Sequence, residues 1–223
     1  QISGAGSHGL QIVAAHGTQV QGSLRIVNPG GDGVRLIDTW AASLDAQMQV
    51  QSAAQNGVLV QGCSDLFLRP TGIQNAGANG VELQGSTDVE LHQVSVSRAQ
   101  GDGVLVDAQC SGVSIEELDC QGNTGAGIHL AGATNVEIGN IHNIYRNEVG
   151  VDVASATNVR IEGSTQGVGD ISGNSSAGIR VQGESTQSVQ IHGTRIATNG
   201  TAGVQVEAGS GIAVGLPGEP FSN

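Results

Sequence analysis

Residues 127–138 read GIHLAGATNVEI and residues 150–161 read GVDVASATNVRI. In each, a Gly opens an alternating apolar pair (Ile128/Leu130, Val151/Val153). Nine residues after the Gly a second alternating pair follows (Val136/Ile138, Val159/Ile161). A small polar pair, Thr134-Asn135 or Thr157-Asn158, stands just before it. Period-two alternation in Val and Ile, bounded by Gly, Asn, Ser and Asp, predicts short half-buried strands.

Working outward, the same Gly-led element recurs at Gly9, Gly33, Gly57, Gly80, Gly103, Gly127, Gly150, Gly178 and Gly203, with spacings of 24, 24, 23, 23, 24, 23, 28 and 25. A third, shorter apolar element follows in most copies: Val94/Val96, Leu118/Cys120, Ile141, Ile171 and Ile196. An Asn then precedes the next Gly at Asn28, Asn75, Asn123, Asn147, Asn174 and Asn199, read as a turn ladder whose amides bond to backbone of the adjacent coil. Three strands per repeat, joined by turns this short, cannot form hairpins. They can coil, so that each strand pairs with its equivalent one repeat later. The predicted fold is therefore all-β: a parallel β-solenoid of about nine three-strand coils without end caps, a single domain over 1–223, rising about 4.8 Å per coil. Val34, Val58, Val81, Val104, Ile128, Val151, Ile179 and Val204 should form one inward column. Residues 39–54 have enough helix propensity to be read as a helix, but the Gly spacing holds across them and predicts an irregular coil.

Composition agrees. Of 223 residues, 36 are Gly and only four are aromatic (Trp40, Phe67, Tyr145, Phe221), which suits a core of stacked β-branched side chains. No apolar run is long enough for a membrane span. With Lys absent and a net charge of −12, nucleic acid and anionic membranes are poor partners. The chain has no initiator Met and no charged-then-apolar leader, consistent with a signal peptide removed or never included.

The unit N-x(3–4)-G-[VI]-x-[VIL]…[ST]-[DN]-V-x-[IL], clearest in 127–147 and 150–174, resembles the right-handed parallel β-helix repeats of the pectate-lyase-like superfamily. That resemblance implies the fold, and functions from polysaccharide lyases and epimerases to phage tailspikes and non-catalytic surface fibres. Asp170-Ile-Ser-Gly-Asn and the tail 215–223 resemble the punctuation of secreted bacterial repeat proteins, which implies an extracellular or cell-surface location.

Candidate chemistry is sparse. The outward middle positions of the first strand are Gln11, Arg35, Leu59, Glu82, Leu105, His129, Asp152, Arg180 and Gln205. His129, Asp152 and Arg180 are consecutive rungs, and a His–carboxylate–Arg row could do general acid/base work. The competing and favoured reading is a solvent-exposed charge ladder, matched on the second strand by Glu137 beneath Arg160. Loop walls, aromatic sugar platforms, an Asn-Thr-Asp or Gly-His-Gly pair and an Asp-Pro-His-Asp run are all missing. No metal or cofactor is expected: Asp32 and Asp102, each between glycines, read as turn residues. Asn174-Ser-Ser and Asn199-Gly-Thr match glycosylation sequons, but at ladder positions. Cys63 and Cys110, two coils apart, lie beyond disulfide reach, and Cys120 points inward, so all three should be free thiols.

The segment Gln1-Ile-Ser-Gly…Gly9 parallels Asp170-Ile-Ser-Gly…Gly178. A join from Gly203 round to Gly9 would span 29 residues, against 28 for Gly150 to Gly178. The expected function is thus a building block of a fibre, partnered with itself head to tail through Ile2, Gly4, Gly203, Ile212, Val214 and Phe221. The alternative is a carbohydrate-active β-helix enzyme or tailspike fragment acting on polysaccharide at the His129 face.

Overall fold

A computed structural model describes residues 1–163 and 169–215. Phe221, the tail motif after Gly215 and the extra residues that lengthen the Gly150 coil lie outside the described residues. The rest is a parallel β-solenoid with no helix among the described residues. First strands, from Leu10–Val13 to Ala202–Val206, build one nine-stranded sheet in which each pairs only with the coils before and after it. Second and third strands together build a sheet of fourteen strands. In four coils they run on as one strand, Gln19–Val27, Trp40–Gln51, Ser111–Gln121 and Thr134–Tyr145.

The stretch 39–54 is accordingly neither helix nor irregular coil. Trp40–Gln51 is a twelve-residue strand with Ala42, Leu44, Ala46, Met48 and Val50 all buried. Its alternation outweighs its helix propensity because one face lies on the core.

The predicted inward column is present in register, Val34 through Val58, Val81, Val104, Ile128, Val151 and Ile179 to Val204. The third-strand column is Ile2, Ile26, Val50, Ile73, Val96, Cys120, Ile144, Ile171 and Ile196. Ile144 holds the place expected for Ile141, which pairs instead with Leu118; the register shifts in that strand between Leu118 and Asp119. From Gly9 to Gly178 the glycine heading each coil is needed for space. A Cβ on Gly33 would run into Val50 of its own coil and the carbonyl of Gly57 on the next.

The corners explain the polar pairs. Asp88, Asn135 and Asn158 all have φ between 52° and 56°, the left-handed region that Asn and Asp tolerate best among side-chain-bearing residues. A second such column closes the third strand: Asn28, Asn75, Arg98 and Arg146, at φ 51–57°. Asn28 and Asn75 are therefore exposed bend residues and take no part in the buried ladder. The ladder is Asn123, Asn147, Asn174 and Asn199, where each Oδ1 accepts the backbone N–H of Ala99, Asn123, Asn147 and Asn174 respectively at 2.9–3.1 Å. Asn174 is 1% exposed, and its Nδ2 donates to Ile144 O and Asn199 Oδ1. Its sequon amide is thus occupied.

The cysteines are free and buried. Thr39, Cys63, Ser86 and Cys110 stack in one column, in which Cys63 Sγ accepts the Thr39 N–H and Cys110 Sγ accepts the Ser86 N–H, both at 3.4 Å. Ser86 Oγ accepts the Cys63 N–H between them, so a residue separates the two thiols.

Candidate functional site

The first-strand register places His129 beside Asp152 and Asp152 beside Arg180. The row forms as read, but it is not a solvent-exposed ladder, since Asp152 is only 3% exposed. Arg180 holds it bidentately, Nε to Oδ1 at 3.1 Å and Nη2 to Oδ2 at 2.5 Å. Gln182, two residues along the same strand, donates Nε2 to both carboxylate oxygens at 3.0 and 3.1 Å. A buried carboxylate held this way is satisfied. The Arg160–Glu137 pair on the second strand, at 3.9 Å, is exposed as expected.

Asp102 joins the site, which the sequence reading did not anticipate. It sits immediately before Gly103, and its Oδ1 accepts the Ala126 N–H at 2.7 Å, the turn role expected of it. Its Oδ2 lies 3.1 Å from His129 Nδ1. An ionised carboxylate only accepts, so Nδ1 carries the hydrogen and Nε2 is left as the proton-exchanging atom. Nε2 faces Asp152 Oδ2 across 4.0 Å. The hydrogen bond to Asp102 raises the His129 pKa above its ordinary value; burial opposes this, the charges of Asp102 and Asp152 add to it, and Arg180 subtracts.

Other residues immediately before the coil-heading glycines also lie against first-strand side chains: His8 Nε2 stands 3.1 Å from Arg35 Nη1 of the next coil, and Asn79 Nδ2 donates to Glu82 Oε2 of its own coil at 3.1 Å. The signal was in the sequence as the column His8, Asp32, Asn56, Asn79 and Asp102, each one residue before its Gly. Gln182 carried no comparable mark. Among the described residues, no group of three or more His, Cys, Asp or Glu is gathered to hold a metal ion. Chemically, the site can hold a proton at His129 Nε2. Its one guanidinium is already committed to Asp152.

The proposed end residues divide. Ile2 pairs with Ile26, and Gly4 donates its N–H to Val27 O at 3.0 Å with φ +62°. Ile212 and Val214 pair with Val189 and Ile191 of the preceding coil and remain only partly buried. Gly203, if it bore a Cβ, would meet only Ile196, at 3.5 Å, among the described residues.

This chain belongs to the right-handed β-helix family, whose description, "Right handed beta helix region", matches residues 79–215. Among solved structures it is similar to a double mutant of the periplasmic alginate epimerase AlgG, with a TM-score of 0.54 at 10% identity, over 93% of this chain and 50% of that one. It is also similar to the structure titled as the periplasmic alginate epimerase AlgG itself, with a TM-score of 0.50 at 11% identity over 93% and 50%. The chain thus spans about half the length of those proteins, and the likeness is one of fold. No curated protein sequence matches. Among the described residues no helix is long and apolar enough to cross a membrane.

Proposed function

We propose that this chain is a length of non-catalytic β-helix rod in an extracellular or cell-surface structure, extended end to end by strand pairing with a further unit of its own kind. The observation that carries this reading is the unbroken register of the columns: each first strand pairs with its equivalent one coil away, so that inward Val and Ile stack coil on coil. Burying one such side chain contributes about 1.5–3 kcal/mol, and a following coil would cover several at once while pairing its strand edge. The parallel between Gln1-Ile-Ser-Gly and Asp170-Ile-Ser-Gly gives that following coil a sequence, with Ile2 in the third-strand column. Likeness to a periplasmic protein supports a location outside the cytoplasm.

The satisfied Asp152–Arg180 pair argues against catalysis on the first-strand face. A second reading, a polysaccharide lyase or epimerase acting there, is favoured by the Asp102–His129 pair with its open Nε2 and by the fold of the alginate epimerase. Electron microscopy and turnover assays separate the two. Thin rods of constant width, shortened or dissolved by Ile2→Asp, are expected for separate subunits; in a tandem polypeptide the same change should create a protease-sensitive joint. A chain that stays monomeric and intact whatever occupies position 2 would end the rod reading. Turnover of alginate that disappears in His129→Ala would establish the second.

A further inference from the structure

The first rung of the turn ladder differs from the rest in the atom that accepts. Asp32, Asn56, Asn79 and Asp102 each take the N–H of the next coil on a side-chain oxygen, Oδ1, at 2.7–3.0 Å. His8 takes the Asp32 N–H on a ring nitrogen, Nδ1, at 3.0 Å. Amide and carboxylate oxygens stay acceptors between pH 5 and 8. An imidazole nitrogen does not, because protonation turns it into a donor.

The ring is also asked for too much. Arg35 Nη1, which only donates, stands 3.1 Å from His8 Nε2, so each ring nitrogen faces a donor. A neutral imidazole accepts at one of them only. The Asp32 amide is buried, whereas the Arg35 side chain is 28% exposed and can turn to water. The neutral ring therefore serves Asp32 with Nδ1 and keeps its hydrogen on Nε2. One buried oxygen is left over. Asp32, 1% exposed, has no hydrogen-bond partner for Oδ2, which lies 3.3 Å from the same Nδ1 and 3.8 Å from Arg35 Nη1. Asp32 and Arg35, both of the second coil, are the charged groups that face the ring. Within its own coil, His16 stacks on Trp40 instead and Arg25 stands on the strand Gln19–Val27. Gly31 leaves the ring its place, since a Cβ there would come within 2.9 Å of Nδ1.

We infer that His8 is a pH-operated latch between the first two coils, in which the N–H and the Oδ2 of Asp32 compete for one ring nitrogen and protonation decides between them. With the ring neutral, Nδ1 accepts the Asp32 N–H and the rung is closed. With the ring charged, Nδ1–H donates to Oδ2 and the Asp32 N–H loses its acceptor. The new positive charge beside Arg35 also drives that guanidinium outward, so acid frees it on the first-strand face. The backbone bonds from Gly30 to Ala5, Gly31 to Ser7 and Gly9 to Asp32, at 2.7–3.0 Å, contain no titrating group. They keep the coil docked while the rung opens. The latch works within one chain and away from His129, so its test is independent of both readings of function.

The experiment is amide hydrogen exchange by NMR on the full chain at pH 5 and pH 8, on either side of the usual imidazole titration. Rates are expressed as protection factors, which correct for the intrinsic rate at each pH. The Asp32 amide should be about tenfold less protected at pH 5, the loss expected for one hydrogen bond. The Asn56 amide, held by Asp32 Oδ1, should keep its protection. His8→Asn puts an amide oxygen in the acceptor's place, as Asn56 and Asn79 do in later coils, so Asp32 should then be equally protected at both pH values. Ring nitrogen shifts should show His8 Nδ1 without a hydrogen at pH 8. Unchanged Asp32 protection in the parent, a parallel loss at Asn56, a pH dependence that survives in His8→Asn, or a hydrogen on Nδ1 at pH 8 would each overturn the inference.

Discussion

The solenoid solves the same turn in two ways. Before Gly33, Gly57, Gly80, Gly103 and Gly127, the backbone N–H of the residue preceding the Gly donates to the side chain one coil earlier: Asp32 to His8, Asn56 to Asp32, Asn79 to Asn56, Asp102 to Asn79 and Ala126 to Asp102. In the later coils the acceptor is an Asn three or four residues before the Gly, and it takes the N–H of the coil behind it. The two ladders thus run in opposite directions. They also differ in what they leave free. In the first ladder Asp32 and Asn56 are buried, but His8, Asn79 and Asp102 are partly exposed beside the first-strand sheet, where a second atom can reach His129, Glu82 or Arg35. Asn123, Asn147 and Asn174 are sealed in the core and spend their Nδ2 groups on each other and on backbone carbonyls. A turn ladder that remains at the rim can build surface chemistry; one that is buried can only hold the coil together.

The largest effect should come from breaking the buried ladder. Asn147→Ala leaves the Asn123 N–H without its acceptor and the Cys120 carbonyl without its Nδ2 donor, a loss of about 2–4 kcal/mol in urea unfolding. Asn56→Ala removes one acceptor nearer the surface and should lose about 1 kcal/mol. Equal losses would erase the distinction between the ladders.

A smaller, pH-dependent effect tests the rim. Because the folded pKa of His129 is raised, its contribution to stability is complete below the unfolded value of about 6.5. It is lost as pH rises through the folded pKa. The stability difference between the parent and His129→Gln should therefore shrink between acid and mildly alkaline pH. Asp102→Asn keeps an acceptor for Ala126 but removes the charge, and NMR titration should show the His129 pKa falling. A His129 that titrates at its parent value in that variant would sharpen the comparison against us.

The smallest expected effect is none at all. Burial pushes the Cys110 thiol up to about 12 and raises those of Cys63 and Cys120. Native protein at neutral pH should then resist iodoacetamide at all three, and unfolded protein should take up three labels by mass. Labelling of Cys63 in the native state would show that the column opens.

Strand positions and the inward columns were legible because period-two alternation and the Gly spacing report directly on which face is covered. The third strand of the Asn147 coil was misplaced because Ile141 and Ile144 are both apolar and only pairing distinguishes them. Position alone also could not separate Asn75 from Asn123. One bends the chain in the left-handed region and the other is a buried acceptor, although both precede a Gly by four or five residues. Of the candidate site, the His129 row followed from register, but Asp102 required seeing that a side chain with two oxygens can serve the backbone of the next coil and a ring on that coil together.

One rung belongs to both ladders. Ala99 donates to Asn123 Oδ1 while Ala126 donates to Asp102 Oδ1, so the turn at 99–102 and the turn at 123–126 grip one another reciprocally. Elsewhere along these two ladders each turn pulls on its neighbour in one sense only. If the molecule were drawn out by its ends, coils on either side could peel away singly, like turns leaving a spool. The peel from each end would reach this mutual clasp as its last obstacle.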